Sequence, residues 1–456
     1  MNSNLLESID LLVSRKISIN QSIKYESLPL YEKENKIYVA TSNETEECRD
    51  FLKFLFEKEV VFLGCDKNYL SYLIKIVLCN NGGNIEEDIL KEAIEKKASD
   101  IHFEPIKNSV NIRFRINGEL ILVRKLMIDE YLKINSRLKL KANMDITEKR
   151  KPQDGKILLN LDNKNYNCRL STIPLINGEK LVLRIIYKEK YLTKLEGLDF
   201  LDSQRKDLKS IINLDNGLVI VNGPTGSGKT TTLYSILREI SNSDINITTI
   251  EDPVEVNMNG INQVNLNPKI GVTFSSGLRS ILRQDPDVIM VGEIRDEETA
   301  KIAVRAAITG HKVYSTIHTK SPREVFLRLE DMGIKDYLLR DSLVGIISQR
   351  LIRILCDDCK KKIGKLKLGS EEVNIYKRVG CNKCNTTGFI GRSLVSSVNY
   401  IDKDKRIEIK NIHSKEEILS NNQMLEVLNA LLKKGSIDYY DYLDFIEGEA
   451  LNEGEV

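Results

Sequence analysis

Residues 218–231 read LVIVNGPTGSGKTT, and this stretch decides the fold class expected of the chain. The apolar run Leu218 to Val221 is typical of a buried parallel strand. Gly223 to Thr230 then fill every fixed position of G-x-x-x-x-G-K-[ST], and helix-compatible residues follow. A glycine-rich turn that binds nothing is the alternative, and the complete motif disfavours it. We therefore predict a strand, loop and helix that bind a nucleoside triphosphate.

The chemistry of phosphate explains this spacing. The glycines let the backbone turn tightly, so that its N–H groups and the positive end of the next helix face phosphate oxygens. Lys229 would reach the β- and γ-phosphates, and the Thr230 hydroxyl would bind Mg²⁺. The residues predicted to hold the nucleotide are Gly223, Pro224, Thr225, Gly226, Ser227, Gly228, Lys229, Thr230 and Thr231.

Length and charge limit the classes of protein that fit. The 456 residues are enough for about two to four domains. The 68 basic and 66 acidic side chains give a net charge of +2, which offers no support for nucleic-acid binding. No apolar run approaches the roughly 18 residues of a membrane span, and MNSNLLESID lacks the pattern of a signal peptide. We expect a cytoplasmic protein whose membrane contacts are peripheral or made through a partner.

Hydrophobic periodicity divides the chain ahead of the nucleotide motif. Residues 1–80 alternate short helices and strands without a catalytic constellation, so we expect a small α/β docking module. Residues 86–188 predict a mixed sheet with two helices and an unusual density of arginine. Residues 189–197 are expected to connect this second part to the nucleotide-binding core. The arginines either line a solvated strand face or reach a phosphate bound elsewhere; they are Arg113, Arg115, Arg137, Arg150, Arg169 and Arg184.

Two strands of the core are predicted to end in acids. The strand NITTI (246–250) runs into EDPVE, where one of three carboxylates could orient or deprotonate the attacking water, although a turn with capping acids would look the same. The strand DVIMV (287–291) continues through Gly292 to Glu293, an atypical form of the Walker B acid that holds Mg²⁺ directly or through water. The carboxyl ends of parallel strands are where such sheets place their ligands.

Histidine is rare in this chain, which has only four. Two of them, His311 and His318, flank one predicted strand in GHKVYSTIHT (310–319). His318 follows the carboxyl end of that strand, as a sensor of the γ-phosphate would. A structural role is the alternative for either histidine.

Four of the eight cysteines are closely paired. Cys356-x-x-Cys359 and Cys381-x-x-Cys384 are separated by 21 residues, which favours a tetrahedral Cys₄ zinc site over a redox pair. A disulfide is disfavoured in a reducing cytosol. Zinc with four protein ligands would be structural and would hold together a subdomain at about 354–392. The other cysteines are expected to be buried thiols, and they are Cys48, Cys65, Cys79 and Cys168.

These blocks occur together in one known family. GPTGSGKTTT, IEDPVE, RQDPDVIMVGEIRD and TGHKVYSTIHT, in this order, resemble the secretion ATPases of type II secretion and type IV pilus assembly. ASDIHFEP, RFRINGEL, EKRKPQDGKI and QRLIRILCDDC match the same family, and the resemblance covers about residues 86–392. It implies an α/β fold with a RecA-like P-loop NTPase core (198–456) that carries the Cys₄ zinc subdomain. It also implies a PAS-like α+β domain (86–188) after the small N-terminal module (1–80).

The resemblance also implies roles for single residues. Glu251 is the leading candidate to activate water, Glu293 resembles the Walker B acid, and His318 is similar to the residue of the family's His-box. Arg169 and Arg184 match phosphate-sensing arginines of the second domain. Arg279 and Arg283 match basic residues ahead of the Walker B strand.

In this family the motor is a hexamer, usually of two-fold symmetry, that uses ATP and Mg²⁺. Each nucleotide lies between one core and the neighbouring subunit's N-terminal domain. The resemblance therefore implies a homohexamer that drives pilin or pseudopilin assembly through a polytopic platform protein at the cytoplasmic membrane. The tetracysteine insert points to assembly or export and away from pilus retraction.

Two features depart from the family pattern. The N-terminal part lacks an R-x-G-x-x-L pattern, so we expect no binding of cyclic di-GMP. After Arg392 the sequence SLVSSVNY and the tail diverge, and the amphipathic helices of the tail are expected to pack against the core. Pilus assembly is the preferred function. The alternatives are a type II secretion or competence pseudopilus ATPase and, less favoured, a RecA-like nucleic-acid motor; a non-enzymatic scaffold would need broken catalytic acids.

Overall fold

The computed structural model describes residues 4–78, 84–191, 193–381, 383–408 and 421–453. The chain divides into two compact units, residues 1–187 and 188–456. Within the described residues, no helix combines the length and the apolarity that crossing a membrane requires.

The first unit begins with a small sheet. Strands β1 and β2 are antiparallel, and β3 pairs with β2 in parallel. Helices cover this sheet and bury apolar side chains such as Leu28, Val39 and Leu52. Short helices and strands alternate in the described part of residues 1–80, as the sequence predicts. The elements are α1 (Asn4–Glu7), α2 (Leu11–Ser14), α3 (Ile19–Lys24), β1 (Ser27–Lys33), β2 (Lys36–Thr41), α4 (Glu46–Phe56), β3 (Glu59–Gly64) and α5 (Lys67–Leu78).

A six-stranded sheet forms the rest of the first unit; all its strand pairs are antiparallel, so the prediction of a mixed sheet is wrong. Its strand order is β6-β5-β4-β9-β8-β7, and helices α6 and α7 pack on one face over Phe103 and Phe114. Asn117 and Gly118 form a hairpin turn between β5 and β6, and both have positive φ. The elements are α6 (Ile85–Glu95), β4 (Asp100–Pro105), β5 (Val110–Ile116), β6 (Glu119–Leu126), α7 (Ile128–Lys141), β7 (Gln153–Leu161), β8 (Lys164–Leu175) and β9 (Gly178–Ile186).

Buried polar contacts join the two parts of this unit. Lys125, on β6, is 4% exposed and donates a hydrogen bond to the carbonyl oxygen of Leu6 at 2.8 Å. Arg15 forms an ion pair with Glu130, on α7, at 2.8 Å. The small N-terminal module is therefore packed onto the six-stranded sheet.

Among the other cysteines, Cys48 and Cys168 are buried and Cys65 is half-buried, while Cys79 lies outside the described residues.

A seven-stranded sheet dominates the second unit. Its order is β12-β11-β13-β14-β10-β15-β18, parallel except for β18, which runs antiparallel to β15. The elements up to β15 are α8 (Lys188–Tyr191), α9 (Asp202–Ile212), β10 (Gly217–Asn222), α10 (Lys229–Ile240), β11 (Ile247–Glu251), β12 (Asn262–Asn265), α11 (Phe274–Ile281), β13 (Val288–Val291), α12 (Glu297–Ile308), β14 (Lys312–Ile317), α13 (Pro322–Asp331), α14 (Asp336–Ser342) and β15 (Leu343–Leu355). Strand β10 pairs with β14 on one side and with β15 on the other, although both of these strands come much later in the sequence.

The end of the second unit carries the cysteines and the tail. A hairpin of β16 and β17 lies between the two Cys-x-x-Cys pairs. The last two helices pack on this hairpin and on β15 and β18 through Met424, Leu428 and Leu432, which confirms the prediction for the described part of the tail. The elements are β16 (Lys361–Leu368), β17 (Glu371–Lys377), β18 (Phe389–Tyr400), α15 (Lys403–Glu408), α16 (Asn422–Lys433) and α17 (Tyr439–Glu453).

Candidate active site

The phosphate-binding motif forms a turn that only glycine fits. Strand β10 is fully buried, and α10 begins at Lys229, so the loop between them crosses the carboxyl end of the sheet. Gly223, Gly226 and Gly228 have φ angles of 147°, 80° and 92°. A Cβ on Gly223 would lie 2.2 Å from the carbonyl oxygen of Gln349. The loop therefore has the backbone conformation that presents N–H groups to an anion.

Lys229 is folded over this loop. Its Nζ donates hydrogen bonds to the carbonyl oxygens of Gly223 at 2.8 Å and Pro224 at 3.0 Å. The residue is 8% exposed, and this burial lowers the pKa of Lys229 to about 8. A desolvated ammonium group at the mouth of the loop is suited to pair with phosphate oxygens, because low hydration strengthens that attraction.

Glu293 and His318 converge on Lys229. His318 Nδ1 lies 3.4 Å from Lys229 Nζ, and His318 Nε2 lies 3.4 Å from Glu293 Oε2. Arg295 pairs with the other oxygen of Glu293 at 2.5 Å. Burial, and then the charge of Lys229, lower the pKa of His318 below its ordinary value, so the imidazole is neutral at neutral pH. The structure thus brings together side chains from three separate sequence blocks.

Glu251 faces the protein interior. It is 4% exposed. Its Oε1 accepts hydrogen bonds from Thr249 at 2.6 Å and from Gln263 at 3.2 Å, and its Oε2 accepts one from the Tyr234 hydroxyl. Both oxygens of the Glu251 carboxylate are therefore held by side chains inside the protein.

The predicted arginines lie in two places. Arg279, on α11, and Arg283, just beyond the end of α11, are exposed. Arg279 pairs with Glu298 at 2.5 Å, and Arg283 lies 3.3 Å from the Ser280 hydroxyl. Arg169 and Arg184 are directly paired on β8 and β9 of the first unit.

A charged row crosses the six-stranded sheet at Arg169 and Arg184. Register pairs Lys156 with Arg169, Arg169 with Arg184, Arg184 with Asp100, and Asp100 with Arg115. Directly paired residues lie on one face, so this row presents four cations and one carboxylate. Asp100 Oδ1 holds Arg184 Nε at 2.8 Å, and the Arg184 side chain remains 63% exposed. The row adds Lys156, which the sequence did not single out.

Residues that the motifs did not indicate support the loop. Gln349, on β15, donates from Nε2 to the carbonyl oxygen of Ser227 at 2.8 Å. The Ser348 hydroxyl donates to Asn222 Oδ1 at 2.6 Å, and Asn222 Nδ2 lies 3.2 Å from the carbonyl oxygen of Ser321. No local signal marks these residues, because β10 and β15 are more than a hundred residues apart.

The four paired cysteines meet at one point. Their sulfur atoms all lie within 4.8 Å of one another, with 3.9 Å between Cys356 and Cys381 and 3.8 Å between Cys359 and Cys384. Four sulfurs at about 2.3 Å from a tetrahedral zinc are about 3.8 Å apart, which fits these separations. The N–H groups of Cys381 and Gly388 point at Cys384 Sγ from 3.1 and 3.2 Å, as donors to a thiolate do.

Comparison with known proteins places this geometry in a family. The family described as "Type II/IV secretion system protein" matches residues 83–438. Type II secretion system protein E of Dickeya dadantii is 41% identical over 356 residues, which are 77% of this chain and 71% of that protein. The type IV pilus assembly ATPase PilB of Acinetobacter baylyi is 37% identical over 431 residues, 84% of this chain and 74% of PilB.

Solved structures give the same fold. The Legionella pneumophila ATPase DotB superposes with a TM-score of 0.60 at 23% identity, covering 79% of this chain and 94% of DotB. The pilus retraction motor PilT with bound ADP superposes with a TM-score of 0.54 at 26% identity, covering 78% of this chain and 96% of PilT. The chain belongs to the type II/IV secretion system protein family and is an ATP-hydrolysing enzyme of that family.

Proposed function

We propose that this ATPase powers the assembly of type IV pilin subunits through a polytopic platform protein at the cytoplasmic membrane. The observation that carries the proposal is the convergence of Lys229, His318 and Glu293 at the phosphate-binding loop. The 37% identity to a pilus assembly ATPase is the reason for proposing pilus assembly as the process that hydrolysis drives. Type II secretion is the second candidate, because relatives with that name are 41% identical. Loss of surface pili, with exoprotein secretion intact, in a strain lacking the gene would select the first.

In this proposal the loop binds ATP and the neighbouring side chains act on its γ-phosphate. Lys229 leaves the two carbonyl oxygens and pairs with the β- and γ-phosphates. Thr230 would hold Mg²⁺ directly and Glu293 would hold it through water, which leaves the Glu293 carboxylate able to act on the attacking water; the ion neutralises charge on the phosphates when bound. Neutral His318 senses the γ-phosphate through the contacts that it now makes with Lys229 and Glu293.

We assign the activation of water to Glu293. Its carboxylate lies beside His318 and is 15% exposed as a side chain. Both acids have partners, since Arg295 pairs with Glu293. Glu251, the leading candidate from the sequence, is only 4% exposed, and three donors hold its carboxylate inside the protein. We therefore propose that Glu251 anchors the loop that follows β11 and that Glu293 orients the water.

We further propose a homohexamer in which arginines complete a neighbour's site. The exposed row that contains Arg169 and Arg184 has the charge needed to bind phosphate oxygens. Arg279 and Arg283 would add positive charge from the core. Arginine stabilises the charge of a transferring phosphoryl group, and supply by a neighbouring subunit would couple hydrolysis to motion between subunits. The PAS-like character of residues 86–188 and the RecA-like character of residues 198–456 belong to the same proposal.

Mixing two inactive variants tests the shared site. Arg169→Ala subunits lack the donated arginine but keep an intact loop, and Lys229→Ala subunits have the reverse defect. Mixed hexamers should therefore regain turnover, measured as phosphate release, at intermediate ratios. In the control mixture, Lys229→Ala with Glu293→Gln, every subunit has a defect in its own core. No site in the mixed hexamer is then complete, and no rescue is expected. Absence of rescue at every ratio, in hexamers shown to exchange subunits, would exclude arginines acting between subunits.

We also propose that the four cysteines hold a structural zinc. The purified protein should contain about one zinc per chain, and Cys384→Ser should lose it, because a Cys₄ site needs every ligand. Metal analysis checks this, and thermal unfolding should show a lower Tm for Cys384→Ser. Cys65→Ser, a half-buried thiol in the first unit, is the matched control and should keep its zinc. Full zinc content in Cys384→Ser would refute the assignment.

A further inference from the structure

Tyr234 lies between α10 and the acidic loop that follows β11. The residue is fully buried, and its hydroxyl donates a hydrogen bond to Glu251 Oε2. The hydroxyl oxygen of Tyr234 itself accepts a hydrogen bond from the backbone N–H of Glu255, at 3.3 Å. Burial raises the pKa of Tyr234, so the phenol remains a donor at every pH used for assays. One hydroxyl thus holds both ends of the Glu251–Glu255 segment.

The other oxygen of Glu251 is held by the sheet. Thr249, on β11, and Gln263, on β12, donate to Oε1. Gln263 also donates to the carbonyl oxygen of Val256 at 3.1 Å, which fixes the far side of the loop. Among the described residues, the hydrogen bond from the Tyr234 phenol therefore links α10, the helix of the phosphate-binding motif, to the Glu251 carboxylate.

The connector between the units rests on α10 at the same point. The ring of Tyr191 lies 6.0 Å from the ring of Tyr234, centroid to centroid, and the planes are tilted by 55°. The next residue of the helix, Ser235, places its hydroxyl 2.8 Å from the carbonyl oxygen of Thr193. With Lys188, where the second unit begins, the predicted connector spans residues 188–197 and joins the two units covalently. A displacement of the connector would therefore reach Tyr234 through these two contacts.

The end of β11 contacts the turn that carries Glu293. The Gly292 N–H donates to the carbonyl oxygen of Ile250 at 2.8 Å. A Cβ on Gly292 would lie 3.5 Å from the Cα of Glu251, so the two backbones are in close approach. A shift of Glu251 would therefore move the turn that positions Glu293.

We propose that Tyr234 is a positioning residue that couples the connector (188–197) to the acidic side of the ATPase site. It acts through Glu251 and the loop after β11, and it reaches Glu293 through the contact at Gly292. The connector would thereby adjust the hydrolytic step while ATP binding at the loop stays unchanged. The inference rests on the proposed role of Glu293 in hydrolysis.

Removal of one hydroxyl tests the first step. Tyr234→Phe keeps the ring against Tyr191 and loses the bond to Glu251, so kcat should fall about tenfold, as expected for one hydrogen bond to a charged group. KM for ATP should stay within about twofold, since the phosphate-binding loop is untouched. Tyr314→Phe is the matched control, because Tyr314 is equally buried and its hydroxyl has no hydrogen-bond partner among the described residues. That variant should retain full kcat.

A double-mutant cycle tests the coupling to the connector. Tyr191→Ala alone should lower kcat severalfold, and the same change in Tyr234→Phe should lower it by no more than about twofold further. Independent, multiplicative effects would overturn the proposal, as would wild-type kcat in Tyr234→Phe. Equal losses of Tm and activity in all variants, without the kinetic coupling, would reduce Tyr234 to a packing role. Lys229→Ala separates failure of the site assignment from failure of the role proposed for Tyr234. If Lys229→Ala still turns over ATP, the assignment of the ATPase site is wrong. If Lys229→Ala is inactive and Tyr234→Phe is unaffected, only the role of Tyr234 is excluded.

Discussion

The variant Lys229→Ala is expected to lose ATP turnover by about a thousandfold or more, because the ammonium group supplies the main charge that the loop offers to the β- and γ-phosphates. In the free protein that group is buried and held by the carbonyl oxygens of Gly223 and Pro224. Alanine removes the cation and leaves these oxygens unpaired. Phosphate release under saturating ATP measures the effect, and binding of a fluorescent ATP analogue should weaken in parallel.

The loss should be confined to the loop. The Cys₄ cluster begins after β15 ends at Leu355, whereas the loop contacts Gln349 in the middle of that strand, so zinc content should be unchanged in Lys229→Ala. Lys209→Ala provides the matched control, since Lys209 is an exposed lysine of α9 in the same unit and alanine favours helix. If Lys229→Ala turned over ATP within about tenfold of the wild type, the phosphate contact would be assigned wrongly.

Glu293→Gln is expected to lower kcat by about a hundredfold to a thousandfold while ATP still binds, because the amide keeps the shape of the side chain but cannot accept a proton from water. The geometry favours this carboxylate, which lies 3.4 Å from His318 through Oε2. Single-turnover hydrolysis and equilibrium nucleotide binding, measured on the same preparation, separate the two steps.

Glu251→Gln distinguishes the two acids. Its amide nitrogen would face a donor, either Tyr234 or Thr249, so the main expected effect is a lower Tm from a cost of about 1–3 kcal/mol. Its kcat should remain well above that of Glu293→Gln. The reverse order, with Glu251→Gln inactive and fully folded, would restore Glu251 as the residue that activates water.

Local sequence carried most of the information about the loop. The buried strand, the glycine positions and the helix start at Lys229 follow from a contiguous motif, and the structure has them at those residues. The Cys₄ cluster could also be predicted from local sequence, because two Cys-x-x-Cys pairs have few possible arrangements other than one shared site. Backbone-level signals of this kind need no knowledge of the remaining fold.

The orientation of Glu251 could not be predicted. Every residue of β11 is buried, so the alternation of the strand does not show which way the last side chain turns. Its direction depends on Tyr234 and Gln263, which belong to other elements. Similarly, Gln349 supports the phosphate loop only because β15 lies beside β10. The contact between Leu6 and Lys125, through which residues 4–78 pack onto β6, is another long-range contact without a local signal.

ATP turnover followed across a size-exclusion profile is the most direct test of a motor whose sites are shared between subunits. The purified protein would be assayed with and without membranes that carry the candidate platform protein. A motor with shared sites should turn over ATP in a hexamer-sized peak, and turnover should increase when the platform protein is present. Full turnover in a monomer-sized peak would mean that one chain contains the whole site, and it would contradict the donation of Arg169 and Arg184 to a neighbour.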